Sequence, residues 1–170
     1  MPKPLHSFPP LADAHTRILI IGSMPGAASL SAHEYYAYPH NQFWRLMFDL
    51  LESGRTPANY ADKQNTLLAH RIGLWDSLAC CERTGSLDSA ISRPVPNDFP
   101  TLFARFPHIQ TLLFNGQAAH RYFKRAFNGF LGKEVFLLPS TSPAHAARSY
   151  QEKRACWQNA LRAALQEPAR

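Results

Sequence analysis

The sequence predicts an α/β protein: a three-layer α/β/α sandwich around a central four-stranded parallel sheet. Four short apolar runs lead there, Ile18 to Ile21, Ile72 to Trp75, Thr111 to Phe114 and Val135 to Leu138, each stopping abruptly at a turn or polar residue. Runs of that length and composition read as strands buried on both faces. Between them lie stretches whose apolar residues recur at helical spacing. A strand–helix alternation of this kind implies right-handed crossovers and a sheet covered on both sides. The 170 residues are expected to form one domain, 1–170, with a sizeable core.

Taken in order, residues 1–16 carry four prolines and read as an extended N-terminal arm lying over the domain surface. The first strand ends in Gly22-Ser23-Met24-Pro25-Gly26, where glycine lets the backbone approach a ligand closely and Pro25 fixes the turn. A loop bearing Tyr35, Tyr36 and Tyr38 leads to Asn41, which is placed to cap a helix beginning Gln42-Phe43-Trp44. Phe43, Trp44, Met47, Leu50 and Leu51 form that helix's apolar face, Gly54 ends it, and Pro57 follows as a breaker. Ala58 to Arg71 reads as a second helix, after which the second strand delivers Asp76 to the sheet edge.

Cys81 to Pro100 reads as the longest irregular stretch, with a short helical piece at Leu87 to Ile91. Asn97 or Asp98 is placed to cap a helix running to about Phe106, closed by Pro107. The third strand leads to Asn115-Gly116 and a helix from Gln117 to about Phe127. The fourth leads to Pro139-Ser140-Thr141-Ser142-Pro143-Ala144-His145 and a last amphipathic helix from about Ser149 to Leu165.

Composition narrows the function classes. Hydrophobic residues at 45% against 18% charged fit a folded chain, and a net charge of +6 favours a polyanionic partner such as nucleic acid. Cys80, Cys81 and Cys156 have no disulfide-framework spacing and fall short of a four-cysteine metal cluster, so a reducing compartment and buried thiols are expected, with no metal and no cofactor. No signal-peptide pattern or membrane-length apolar run is present, which leads to the expectation of a cytoplasmic protein without membrane association. Gly22 to Gly26 matches neither the triphosphate-binding nor the dinucleotide-binding glycine pattern. A serine hydrolase built on Ser140 or Ser142 lacks the G-x-S-x-G turn.

Ligands of open α/β sheets bind at the carboxyl ends of the strands. That topology draws Ser23 to Pro25, Asp76, Asn115 and Ser140 to Ser142 toward one edge. Asp76 and Asn115 could read a ligand there, although Asn115-Gly116 equally suits a turn.

Together, G-S-M-P-G, Y-Y-A-Y-P-H-N-Q-F-W and L-P-S-T-S-P-A resemble the uracil-DNA glycosylase superfamily. The nearest likeness is to its hypoxanthine-DNA (deoxyinosine) glycosylase family, numbered six, in the branch related to mismatch-specific uracil/thymine glycosylases. L-W-D-S-L at Leu74, G-S-L-D-S at Gly85, N-D-F at Asn97 and F-N-G at Phe114 extend the resemblance over roughly Ile18 to Trp157.

The resemblance implies a uracil-DNA glycosylase-like fold and a DNA glycosylase acting as a monomer on double-stranded DNA; with no lysine nucleophile apparent, a monofunctional enzyme is expected. Such an enzyme flips out a deaminated base and hydrolyses its N-glycosidic bond, initiating base excision repair. Hypoxanthine is the implied preference, with uracil and xanthine open. It implies Asn41 as the residue that orients the attacking water, although Asn41 can equally serve only as a cap. Tyr36 is implied to stack on the flipped base, with Ser23, Met24, Asp76 and Asn115 around it. Gly22, Pro25, Gly26, Ser140, Thr141, Ser142, Ala144 and His145 would hold the DNA, His145 or Ala144 probing the gap the base leaves.

Two departures stand out. Met24 occupies the position where mismatch-specific relatives have a water-positioning asparagine, and Ser140 stands where the main uracil family has a catalytic histidine. Met24 can neither hold nor polarise a water. A uracil-preferring mismatch glycosylase and a non-catalytic DNA-binding module of the same fold therefore remain alternatives.

Overall fold

Strands Ile18–Gly22, Ile72–Asp76 and Thr111–Asn115 are buried at every position, which is why they read as unbroken apolar runs. The computed structural model describes residues 3–166. Numbered along the chain, its strands are β1 (Leu5–His6), β2 (Ile18–Gly22), β3 (Ile72–Asp76), β4 (Leu78–Glu82), β5 (Ser92–Pro96), β6 (Thr111–Asn115) and β7 (Glu134–Leu138). Its helices are α1 (Ala27–Ala32), α2 (Phe43–Leu51), α3 (Tyr60–Ala69), α4 (Phe99–Arg105), α5 (Gln117–Phe127) and α6 (Tyr150–Leu165).

Four strands form a parallel sheet in the order β3-β2-β6-β7. Alternate residues face opposite ways, and each face has its own core. Ile18, Ile20, Leu74 and Leu113 pack with Phe43, Met47 and Phe48 of α2, Leu67 of α3, and Trp157 and Leu161 of α6. Leu19, Ile21, Trp75, Leu112 and Phe114 pack with Phe99 and Leu102 of α4 and Phe123 of α5. Helices on both faces make the three expected layers. The register pairs Gly22 with Asp76 and Asn115 with Leu138, so the carboxyl ends of all four strands finish level.

The stretch expected to be irregular is different. It contributes to a second, antiparallel sheet in the order β1-β4-β5. β4 follows β3 after one residue, Ser77, so no glycine or proline marks a boundary between the two strands. β5 is exposed at every position and contains two prolines, as only an edge strand tolerates. The expected helical piece shrinks to a single 3₁₀ turn, Asp88–Ala90.

The N-terminal arm does lie on the domain: Leu5 and His6 pair with β4, and Leu11 bridges Leu74. Residues 1–2 of that arm fall outside the described residues. The aromatic loop also contains α1, a helix of six residues with no side-chain cap, too short and too weakly marked to read from sequence.

The expected helix over 58–71 is shorter, because Asn59 caps it by accepting from Asp62 N. Asp98, rather than Asn97, caps α4 by accepting from Thr101 N. Asn97 instead donates its amide to the carbonyls of Asp76 (2.8 Å) and Leu78 (3.1 Å), joining the ends of β3 and β4.

Candidate active site

A cavity of about 420 Å³ opens at the carboxyl ends of β2, β3, β6 and β7. It is lined by Gly22 through Gly26, Tyr36, Asn41, Asp76, Asn115, Ser140 through Ser142 and Ala144, so the sequence-predicted residues converge there with one exception. His145 lines an adjoining cavity instead; it is half-buried, with Nε2 out of solvent and without a partner.

One wall is a closed chain of amides and a hydroxyl. Asn115 Oδ1 accepts from Thr141 N (2.9 Å), and Asn115 Nδ2 donates to Thr141 Oγ1 (3.0 Å). Thr141 Oγ1 donates in turn to Asn41 Oδ1 at 2.8 Å. Asn41 Oδ1 also accepts from Phe43 N at 3.0 Å, so it steadies the start of α2 as a cap would. A main-chain N–H is always a donor, which fixes the orientation of the amide. Both lone pairs of Oδ1 are thereby occupied, and Nδ2 is the group Asn41 has left to offer. Asn115 sits here because β6 ends level with β7. Gly116 turns the chain at φ 97°, and a Cβ there would lie 3.0 Å from Ser140 Cβ; glycine lets the two loops touch.

The second wall is charged. Asp76, at 4% exposure, has an Oδ2 atom with no hydrogen-bond partner. Burial, reinforced by the Asp88 carboxylate and opposed by Arg83, pushes its carboxyl up to about 7. A Cβ on Gly22 would lie 2.6 Å from Asp76 Oδ1 and 3.1 Å from the Tyr36 hydroxyl. Only glycine lets these two groups close over the strand end.

Tyr36 adopts φ 55°. Hydrogen bonds on either side hold it in that strained conformation: Trp44 Nε1 to Tyr35 O at 2.9 Å, and Ala37 N to Ser29 Oγ at 3.1 Å. One face of its ring stacks on Phe43, with centroids 3.9 Å apart, and the residue lines the cavity. Burial, then the Asp76 charge, raises its phenol well above the usual range.

Sequence reasoning missed the group that clamps the first loop. Arg83, buried between β4 and β5, donates Nη2 to Pro25 O at 2.5 Å and Nε to Gly85 O at 2.9 Å. Ser86 Oγ accepts from Ala27 N at 2.9 Å, and Ser23 Oγ donates to Asp88 Oδ1 at 2.5 Å. The hairpin tip is thus tied to Ser23, Pro25 and Ala27. The G-S-L-D-S motif was the only sequence signal for it.

The loop after β7 is held from α6. Lys153 Nζ donates to His145 O at 2.7 Å and Trp157 Nε1 to Pro139 O at 2.9 Å. Within the loop, Ser142 N donates to Ser140 Oγ (3.1 Å) and Ala144 N to Ser142 Oγ (3.2 Å).

Met24 is 7% exposed and packs on Leu78 and Cys81, presenting an apolar surface to the cavity. No lysine lines the cavity among the described residues. The arrangement can hold a flat polar ring, with a stacking face, an uncommitted amide N–H and a carboxyl able to donate or accept.

Residues 9–166 match the family model described as the Uracil DNA glycosylase superfamily. A protein of Methanosarcina barkeri named hypoxanthine DNA glycosylase is 35% identical over 155 residues, covering 91% of this chain and 96% of its own. One of the same name from Methanosarcina acetivorans is 38% identical over 138 residues, covering 81% and 86%. A solution NMR structure of a "putative Uracil DNA glycosylase" from Methanosarcina acetivorans superposes with a TM-score of 0.81 at 34% identity, over 96% of this chain and all of that one.

Proposed function

The chain belongs to the uracil DNA glycosylase superfamily, and on that premise we propose that it is a monofunctional DNA glycosylase that releases hypoxanthine from double-stranded DNA. It acts as a single cytoplasmic domain and a monomer, and initiates base excision repair. The observation that carries this reading is the cavity at the strand ends, where Tyr36, Asn41, Asp76 and Asn115 converge.

Extruding a base costs a few kcal/mol, least for a damaged or mispaired one. The flipped base stacks on Tyr36, a contact of roughly 1–3 kcal/mol per base. Hypoxanthine presents an N–H donor beside a carbonyl acceptor. A neutral Asp76 carboxyl offers the complementary pair, its O–H donating to the carbonyl and its C=O accepting from the N–H. Ser23, Met24 and Asn115 complete the surroundings of the base. Gly22, Pro25, Gly26, Ser140, Thr141, Ser142, Ala144 and His145 lie along the backbone path.

The C1′–N9 bond breaks with its electron pair leaving on the base, and positive charge develops on the sugar. The hydrogen bond from Asp76 stabilises the charge gathering on the departing base. Asn41, through Nδ2, donates to a water and holds it toward C1′. That water bonds to C1′ and loses a proton to solvent, while the departing base takes one up from solvent, leaving neutral free base and an abasic site. An amide whose oxygen is already occupied cannot serve as a base, so Asn41 contributes by positioning. With no lysine lining the cavity among the described residues, the proposed enzyme forms no imine with the sugar and does not cut the strand.

Met24 favours one competing reading, a DNA-binding module without turnover. Asn41→Ala separates the two. An enzyme releases hypoxanthine and loses about 10²-fold or more in single-turnover rate when Asn41 is truncated, with DNA affinity nearly unchanged. Wild-type protein that binds deoxyinosine DNA yet releases no base would establish the binding module.

A further inference from the structure

Leu87 is 57% exposed, the most exposed large hydrophobic side chain among the described residues, and it belongs to none of the apolar clusters. It lines both the base cavity and the adjoining one, so it sits on the partition between them. Its position is held rather than loose, because the hairpin tip is tied to the first loop through Arg83, Ser86 and Asp88. Leu87 O also accepts from Ala90 N at 3.1 Å, closing the turn beneath it.

An apolar side chain presented on a braced tip beside a base-sized cavity has little to gain from water. When a nucleotide leaves a duplex, its neighbours lose a stacking partner on each side, and an aliphatic wedge is the kind of group that occupies such a gap. The loop after β7 lacks one. Ala144 ends at Cβ. His145 is half-buried, with its carbonyl tied to Lys153 and Nε2 out of solvent.

Building on the glycosylase reading, we infer that Leu87 is the residue that enters the duplex and fills the space vacated by the extruded base. The base cavity and the wedge then come from opposite sides of one braced contact, Ser23 to Asp88. The first loop receives the base while the hairpin holds the stack open.

The test compares Leu87→Ala and Leu87→Met with wild type on two DNAs. One carries deoxyinosine paired with dC, the other deoxyinosine opposite an abasic analogue, where no pair has to be broken. Each is prepared with 2-aminopurine beside the lesion to report unstacking. Leu87→Ala is expected to lower single-turnover release at least tenfold from the paired duplex and less than twofold from the unpaired one. It is also expected to lose the fluorescence rise that wild type gives on this account of Leu87, and Leu87→Met to restore both.

Equal losses on the two DNAs, or no loss on either, would overturn the assignment. Exposure of the side chain keeps the variant's fold out of question, and a thermal melt of each variant checks it. If wild-type protein releases no base from either DNA, the cleavage reading falls; the wedge is then judged by the fluorescence rise and its loss in Leu87→Ala.

Discussion

On one wall of the cavity, Asn115, Thr141 and Asn41 satisfy one another and the start of α2, and Asn41 Nδ2 is what they leave over. On the other, Asp76 Oδ2 is buried without a partner, and the Asp76 carboxyl is raised to about 7. A satisfied network holds its shape whether or not a ligand is present. Unpartnered buried groups destabilise the empty protein and are relieved when a ligand supplies what they lack. The first wall therefore sets geometry, and the second supplies the response to the base.

The largest expected effect breaks the second wall. The folded-state pKa of Asp76 lies above its unfolded value, so the folded protein holds the proton more tightly. The contribution of Asp76 to stability is then full below about pH 4, falls as pH rises toward 7, and levels off above it, by about 4 kcal/mol at most. Asp76→Asn removes that slope, which chemical denaturation at several pH values would show. The same substitution flattens the rate profile: wild-type release declines above pH 7, up to tenfold per unit, because the ionised carboxyl no longer donates to the base. A wild-type rate that keeps rising past pH 8 would remove Asp76 from this role.

Breaking the first wall costs less. Thr141→Val leaves Asn115 Nδ2 and Asn41 Oδ1 each one bond short, for about 1–3 kcal/mol of stability. The release rate falls roughly tenfold as Asn41 loosens, while the pH profile keeps its wild-type shape. A changed pH dependence in Thr141→Val would mean that the walls are not separable.

The smallest effect sharpens the comparison at the hairpin. Ser86→Ala removes the acceptor for Ala27 N and costs about 1 kcal/mol. Release from the paired duplex falls only a few-fold, because Arg83 and Asp88 still hold the tip. A melt and a single-turnover assay suffice to check it.

Much of this was legible because the central strands are buried on both faces. Ile18 to Ile21 and Thr111 to Phe114 announce themselves as apolar runs, and their ends bring Ser23, Asp76, Asn115 and Ser140 to one edge. The pairing of Asn41 with Thr141 spans 100 residues of sequence, and no local pattern signals it. Arg83 and Asp88 were hidden for another reason. β5 is a short exposed edge with two prolines, so it carries no periodicity, and the hairpin's role depends on the bond from Ser23 across 65 residues. Leu87 gave only its motif; exposure and bracing are properties of the folded chain.

The most direct measurement is a cleavage panel. Duplexes carrying one hypoxanthine, uracil, xanthine or thymine opposite each normal base are incubated with the protein and then treated with alkali. Strand breaks that require the alkali step and are strongest at hypoxanthine are the predicted result. No break at any deaminated base, with DNA still bound, would contradict the account.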